Sequence, residues 1–88
     1  MLVLALVLVQ PVAAQSFKPD HDAGWKAFVQ RDYATALRHI RPLAEQGHAY
    51  AQYRLGYMYE EELGVAQDYE EAVRWYRRAA VQSYAKAQ

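Results

Sequence analysis

The sequence reads DYATALRHIRPLAEQGHAYAQ from Asp32 to Gln52 and DYEEAVRWYRRAAVQSYAKAQ from Asp68 to Gln88. The two stretches are offset by 36 positions and share ten identical residues out of twenty-one. Self-similarity at such a period is typical of stacked repeats, in which each unit buries its apolar face against its neighbours. The duplication therefore predicts a repeat architecture, for which a binding scaffold is the default function.

Apolar residues recur at helical spacing within each stretch. They are Tyr33, Ala36, Leu37, Ile40, Leu43 and Ala44 in the first, and Tyr69, Ala72, Val73, Tyr76, Ala79 and Ala80 in the second. This spacing places one apolar stripe along an α-helix. Asp32 and Asp68 are predicted N-caps, and Glu71 is predicted to complete a capping box with Asp68. Trp75 lies off the stripe, and we expect it to pack against a following repeat.

A partner helix is predicted before each of these helices. Residues 49–61 form one, in which the small Gly56 lets a neighbouring helix come close, and residues 21–30 form the other. Gly47 is placed to end the second helix of the first hairpin. The predicted fold is all-α, an α-solenoid of antiparallel helix–turn–helix repeats with about two hairpins and the start of a third.

Three segments carry a family resemblance. They are Ala49-x-Ala51-Gln52-x-x-Leu55-Gly56-x-x-Tyr59, Gly64-Val65-x-x-Asp68 and Ala72-x-x-Trp75-Tyr76-x-x-Ala79-Ala80. Together they resemble the Sel-one-like repeat, a relative of the tetratricopeptide repeat. Thirteen residues separate Tyr59 from Ala72, as in the Sel-one-like form, whereas nine separate Ala27 from Ala36, as in tetratricopeptide hairpins. The sequence departs from the family at Arg31, Glu62 and Ser83, where the resemblance leads us to expect glycine in a turn.

The chain is predicted to divide into five segments. These are a signal peptide (1–14), a short lead-in (15–19), a first helical hairpin with tetratricopeptide-like spacing (20–48), a Sel-one-like repeat (49–84) and the start of a further repeat (85–88). The apolar run Met1–Val9 is far shorter than the ~20 residues that a spanning helix needs. With Pro11 and the small residues Val12 and Ala14 after it, the run fits a secretory signal. No Lys or Arg precedes it, so the start site is left open.

Composition narrows the function further. Ten basic and ten acidic residues give zero net charge, and the basic excess typical of nucleic-acid binding is missing. The chain has no cysteine, which excludes thiol catalysis and cysteine-based zinc sites. We therefore expect an exported protein, periplasmic or extracellular, with no nucleic-acid partner and no stable membrane span after signal removal.

The resemblance implies adaptor work, in which the inner face of the solenoid holds a protein or peptide. Mapped onto this sequence, that face carries Tyr50, Tyr53, Tyr57 and Glu60 in the second unit, and His21, Trp25 and Phe28 in the first. Aromatic side chains with polar tips suit the binding of a partner segment. The alternative is that Trp25 and Phe28 simply pack between helices in a small core.

Two other residue clusters resemble functional motifs but do not predict a catalytic or metal site. Asp20-His21-Asp22 is better explained by helix capping than by metal binding, because adjacent residues at a helix start do not converge on one ion. Ser83-x-x-Lys86 lacks the other motifs and the much larger fold of penicillin-recognising enzymes. No catalytic residue, metal or cofactor is predicted. Two alternatives to the scaffold stay open: a subunit or regulator of a cell-wall enzyme, and self-association through the open C-terminal repeat edge.

Overall fold

The computed structural model describes residues 17–87, so the predicted signal peptide lies outside the described residues. Within this range the chain forms four α-helices: α1 His21–Val29, α2 Tyr33–Glu45, α3 Ala49–Glu61 and α4 Tyr69–Ala87. Each helix packs against the next along the chain. The described part is all-helical, as predicted, and α3 has the predicted bounds while α1 ends one residue early. None of the helices in residues 17–87 is long and apolar enough to cross a membrane.

The starts of α2 and α4 follow the predicted caps. Asp32 Oδ1 accepts a hydrogen bond from the Thr35 amide, 3.3 Å away, and Asp68 Oδ1 accepts from the amides of Glu70 and Glu71. The prediction that Glu71 accepts from the Asp68 amide, which would complete the capping box, is wrong. The Asp68 amide already donates to the Tyr59 carbonyl at 3.1 Å, so Glu71 is free to accept from Arg74 along the helix.

The end of α2 is a Schellman turn at Gly47, as the sequence predicts. Gly47 has a φ of 103°, in the left-handed region that glycine enters without steric cost. Its amide donates to the Ala44 carbonyl, and the His48 amide donates to the Leu43 carbonyl, both at 3.1 Å. These two bonds satisfy carbonyls that the helix end would otherwise leave free.

Two residues with side chains adopt the same left-handed backbone at the other helix ends. Arg31, after α1, has a φ of 64°, and Glu62, after α3, has a φ of 59°. These are two of the three positions at which the chain departs from the family's glycine. The family pattern thus identified a real requirement for a left-handed backbone. Arg31 and Glu62 are strained there, because L-residues are disfavoured in this region by about 1–2 kcal/mol.

The third departure behaves differently. The turn expected at Ser83 is not formed, since α4 continues through it to Ala87, and residues 85–87 extend α4 rather than open a new helix. Ser83 keeps a helical backbone, whereas Gly47, at the equivalent place in the first repeat, has the positive φ that ends α2.

The core runs through all four helices. Its buried residues are Ala27, Ala36, Ile40, Leu43, Ala44, Ala51, Leu55, Met58 and Trp75. The expectation for Trp75 is wrong, because it is only 6% exposed and belongs to this core. The buried face of α4 carries Ala72, Trp75 and Ala79, while Val73 of the predicted stripe is exposed. The helix is therefore rotated relative to the stripe that its sequence suggests.

A buried glutamine ties the two hairpins together. Gln52 is 2% exposed, and its Nε2 donates to the Ala44 carbonyl at 3.1 Å. Its Oε1 accepts from Gln82 Nε2 at 2.9 Å, and the same nitrogen of Gln82 donates to the Gly47 carbonyl at 2.8 Å. A buried amide is tolerated when its donors and acceptors are satisfied. These bonds hold the C-terminal part of α4 against the turn between α2 and α3.

Replacing Arg31 with glycine is expected to stabilise the protein. Arg31→Gly relieves the left-handed strain, and the more flexible unfolded chain offsets part of this gain, which leaves about 0.5–1 kcal/mol in the free energy of unfolding. Urea denaturation followed by circular dichroism measures it. Gln30→Gly is the matched control, since Gln30 has an ordinary φ of −82° and no strain to relieve. A loss of stability in Arg31→Gly would contradict the assignment.

Candidate functional site

Helix α3 presents a row of tyrosines to solvent because its opposite face is anchored in the core. Leu55 and Met58 are fully buried, which turns Tyr50, Tyr53 and Tyr57 outward. Their exposed fractions are 61%, 53% and 39%. Tyrosine rings combine apolar area with a polar tip and lose little conformational entropy on binding, so such a row is suited to contact with a partner.

A concave surface lies between α3, α4 and the turn before α3. We call it the Tyr53 groove; it encloses about 1050 Å³. It is lined by His21, Leu43, His48, Ala49, Tyr50, Tyr53, Glu60, Tyr76, Ala79, Ala80, Ser83 and Lys86. The rings of Tyr53 and Tyr76 lie 5.3 Å apart across it, and the rings of His21 and Tyr50 lie 5.2 Å apart at one end.

A second, smaller depression lies on the side of α1. We call it the Trp25 pocket; its volume is about 340 Å³, and it is lined by Trp25, Phe28, Val29, Arg31, Tyr33, Tyr57, Glu61 and Leu63. The rings of Trp25 and Phe28 are stacked with centroids 5.6 Å apart. Phe28 also contacts Tyr33 edge-on at 5.5 Å and Tyr57 at 6.2 Å. Phe28 is half-buried by these contacts, whereas Trp25 stays exposed.

Arg54 connects the two surfaces. Its guanidinium carbon lies 4.0 Å from the ring centre of Trp25, 5.4 Å from that of Phe28 and 5.3 Å from that of Tyr50. A guanidinium over an aromatic face is attracted by the ring quadrupole by about 0.5–2 kcal/mol. Arg54 therefore contacts rings of both surfaces, Trp25 and Phe28 of the pocket and Tyr50 of the groove.

Glu60 is held at one end of the Tyr53 groove by a hydrogen bond from α4. The Tyr76 hydroxyl donates to Glu60 Oε1 at 2.6 Å. Burial raises the pKa of the Tyr76 hydroxyl, and its hydrogen bond to the Glu60 carboxylate raises that pKa further. Tyr76 thus stays a neutral donor at physiological pH and orients the carboxylate.

The seven predicted site residues do not form one surface. His21, Tyr50, Tyr53 and Glu60 line the Tyr53 groove, while Trp25, Phe28 and Tyr57 line the Trp25 pocket. Their role in binding stays a prediction. Sequence reasoning missed Arg54, and it missed the α4 wall of the groove, Tyr76, Ala79 and Lys86. The apolar spacing of α4 was a signal for that wall, because Tyr76 and Ala79 belong to the predicted stripe.

The Asp20-His21-Asp22 cluster serves as a helix start. Asp20 Oδ1 accepts from the Asp22 amide at 3.1 Å and so caps α1. His21 Nδ1 lies 3.9 Å from Asp22 Oδ1, and the Asp20 amide donates to His39 Nδ1 at 3.0 Å. Across residues 17–87, no three such side chains converge in a way that could hold a metal ion.

Comparison with known proteins decides the family. The Sel1 repeat family matches residues 21–48 and 49–84, which are the α1–α2 hairpin and the unit that contains α3 and α4. The chain belongs to the Sel1 repeat family. Chitin synthase regulatory factor 3 of Schizosaccharomyces pombe is 39% identical to the Sel1 chain over 64 residues. The match covers 73% of the chain but only 7% of that protein. No solved structure matches the chain described here.

Membership of the Sel1 repeat family gives the broad function. The helices of the Sel1 chain form a scaffold of the protein-interaction type, and its family is generally non-catalytic. The Tyr53 groove and the Trp25 pocket are two concave surfaces of this scaffold.

Proposed function

We propose that this chain is a non-catalytic scaffold that binds a protein or peptide partner in the Tyr53 groove. The observation that carries the proposal is the pair of outward rings, Tyr50 and Tyr53, on a helix whose other face is locked in the core. Because the helix is already ordered, no backbone entropy is lost when these rings contact a partner. The groove volume of about 1050 Å³ is large enough for several side chains of a partner.

A second candidate is the regulation of an enzyme. Its support is the relative named a chitin synthase regulatory factor, which shares 39% identity with this chain. In this version the partner is itself an enzyme that acts on the cell envelope, and the scaffold changes its activity or location. The chain spans only 7% of that relative's length, so the proposal concerns the repeats and not the whole regulator.

Removing the two groove tyrosines is expected to abolish partner capture. Interface aromatics that act as hot spots each contribute about 2–4 kcal/mol, so Tyr50→Ala with Tyr53→Ala should eliminate recovery of partners from an exported fraction. Helical content should survive, because both rings are more than half exposed. The measurement is quantitative cross-linked recovery, with circular dichroism on the same samples.

The matched control is Tyr69→Ala, since Tyr69 is equally exposed at 62% and lines neither concave surface. Capture that persists in the double variant would refute the groove as the binding site. Unfolding of the double variant would also count against it, because the rings would then belong to the core. Sizing each sample by ultracentrifugation separates partner capture from self-association.

We also propose that the protein is exported to a periplasmic or extracellular space. The support is the apolar run Met1–Val9, followed by Pro11 and the small residues Val12 and Ala14. The absence of cysteine is compatible with an oxidising compartment, because such a chain needs no disulfide control.

Export predicts a processed N-terminus. N-terminal sequencing of the purified protein should return a start at Gln15 or within a residue or two of it, since Val12 and Ala14 suit the positions before a cleavage site. Leu6→Arg breaks the apolar run and should leave the protein unprocessed in the cell. Recovery of Met1 at the N-terminus of the unaltered protein purified from cells would contradict the proposal.

A further inference from the structure

The Tyr53 groove carries opposite charges at its two ends. Helices α3 and α4 run antiparallel along it, with Glu60 beside Tyr76 at one end. At the other end, the bond from Gln82 to Gly47 holds the last turns of α4, which contain Lys86, against the start of α3. Ten residues separate Tyr76 from Lys86, so the two ends lie about 15 Å apart at 1.5 Å per residue.

Neither end charge is neutralised within the fold. Glu60 and Lys86 form no ion pair with any residue between 17 and 87. Glu60 accepts the Tyr76 hydroxyl, which is neutral and leaves the full negative charge in place. At the other end, Lys86 is the one lysine or arginine among the residues that line the groove.

The surface between these charges is mostly apolar. It is lined there by Leu43, Ala79 and Ala80 and by the rings of Tyr53 and Tyr76, whose centroids lie 5.3 Å apart. Two small alanines let a backbone approach the surface of α4 closely. A span of about 15 Å accommodates four to five residues of an extended chain at 3.3 Å per residue. In such a chain the first, third and fifth side chains point to the same side.

We propose that the Tyr53 groove binds an extended peptide with an acidic side chain at the Lys86 end, an apolar side chain over Ala79, and a basic side chain at the Glu60 end. This inference rests on the proposed binding function and adds its ligand class. Charge complementarity at both ends sets the register and the choice of segment, while the apolar centre supplies most of the affinity.

The test uses three blocked pentapeptides and the full chain. All have leucine at the centre and serine at the second and fourth positions. The first has glutamate and lysine at its ends, the second has two glutamates, and the third has two lysines. Acetyl and amide blocking groups remove the terminal charges, so that only side chains are compared. Titration followed by 15N NMR gives each dissociation constant and shows which amides shift.

The glutamate–lysine peptide is expected to bind about fivefold more tightly than either like-charged peptide. This factor corresponds to the free energy of one partly exposed ion pair, which each like-charged peptide lacks. The largest shifts should lie at Tyr53, Ala79 and Ala80. Lys86→Glu should reverse the preference, making the two-lysine peptide the tightest ligand. Lys26→Glu is the matched control. Lys26 is a residue of α1 that lines neither concave surface, so this change should leave the order of affinities unchanged.

The outcomes separate this inference from the proposed function. Equal binding of all three peptides, with shifts at Tyr53 that disappear in Tyr53→Ala, overturns the charge pattern and keeps the groove as a binding site. Shifts confined to other surfaces, or no shifts with any peptide, overturn both. A preference that Lys86→Glu does not change also overturns the charge pattern, because the selectivity then has another origin.

Discussion

The close approach of α3 and α4 at Gly56 is the constraint on which the rest of the structure depends. A Cβ atom at Gly56 would lie 2.8 Å from Cδ1 of Tyr76 and 3.1 Å from the Ala72 carbonyl oxygen. No side chain fits there without movement, so glycine lets the Tyr76 ring come close to the backbone of α3. From that position Tyr76 contacts Tyr53 and donates to Glu60, which forms one end of the groove. Gly24 has the same role in the first hairpin, where an added Cβ atom would lie 3.0 Å from His39 Cβ.

Much of the fold could be predicted from local signals. The cap at Asp32, the turn at Gly47 and the bounds of α3 follow from residues within a few positions, and the structure has all three. The strained turns at Arg31 and Glu62 were visible only as departures from a family pattern. Their own side chains give no hint of a left-handed backbone, because the requirement comes from how each helix must end.

What sequence reasoning could not supply is the rotation of one helix against another. The face of α4 that becomes buried depends on which of its residues contact α3. Trp75 is therefore buried although it lies off the predicted stripe. The tyrosine row is divided for the same reason, since Tyr50 and Tyr53 line the surface next to α4 while Tyr57 lines the surface next to α1. Spacing within one helix contains no information about such angles, so the seven site residues were predicted as one face.

A double-mutant cycle at Gly56 and Tyr76 tests the central claim, that contact between these two residues fixes α3 on α4. In an open helix, Gly→Ala stabilises by about 0.5–1 kcal/mol. Here Gly56→Ala should instead destabilise by about 1–3 kcal/mol, as overpacking does, and most of that penalty should disappear in a Tyr76→Ala background. Urea denaturation of the four proteins gives the coupling free energy. A Gly56→Ala variant that is more stable than the parent, or a penalty unchanged without the Tyr76 ring, would contradict the account.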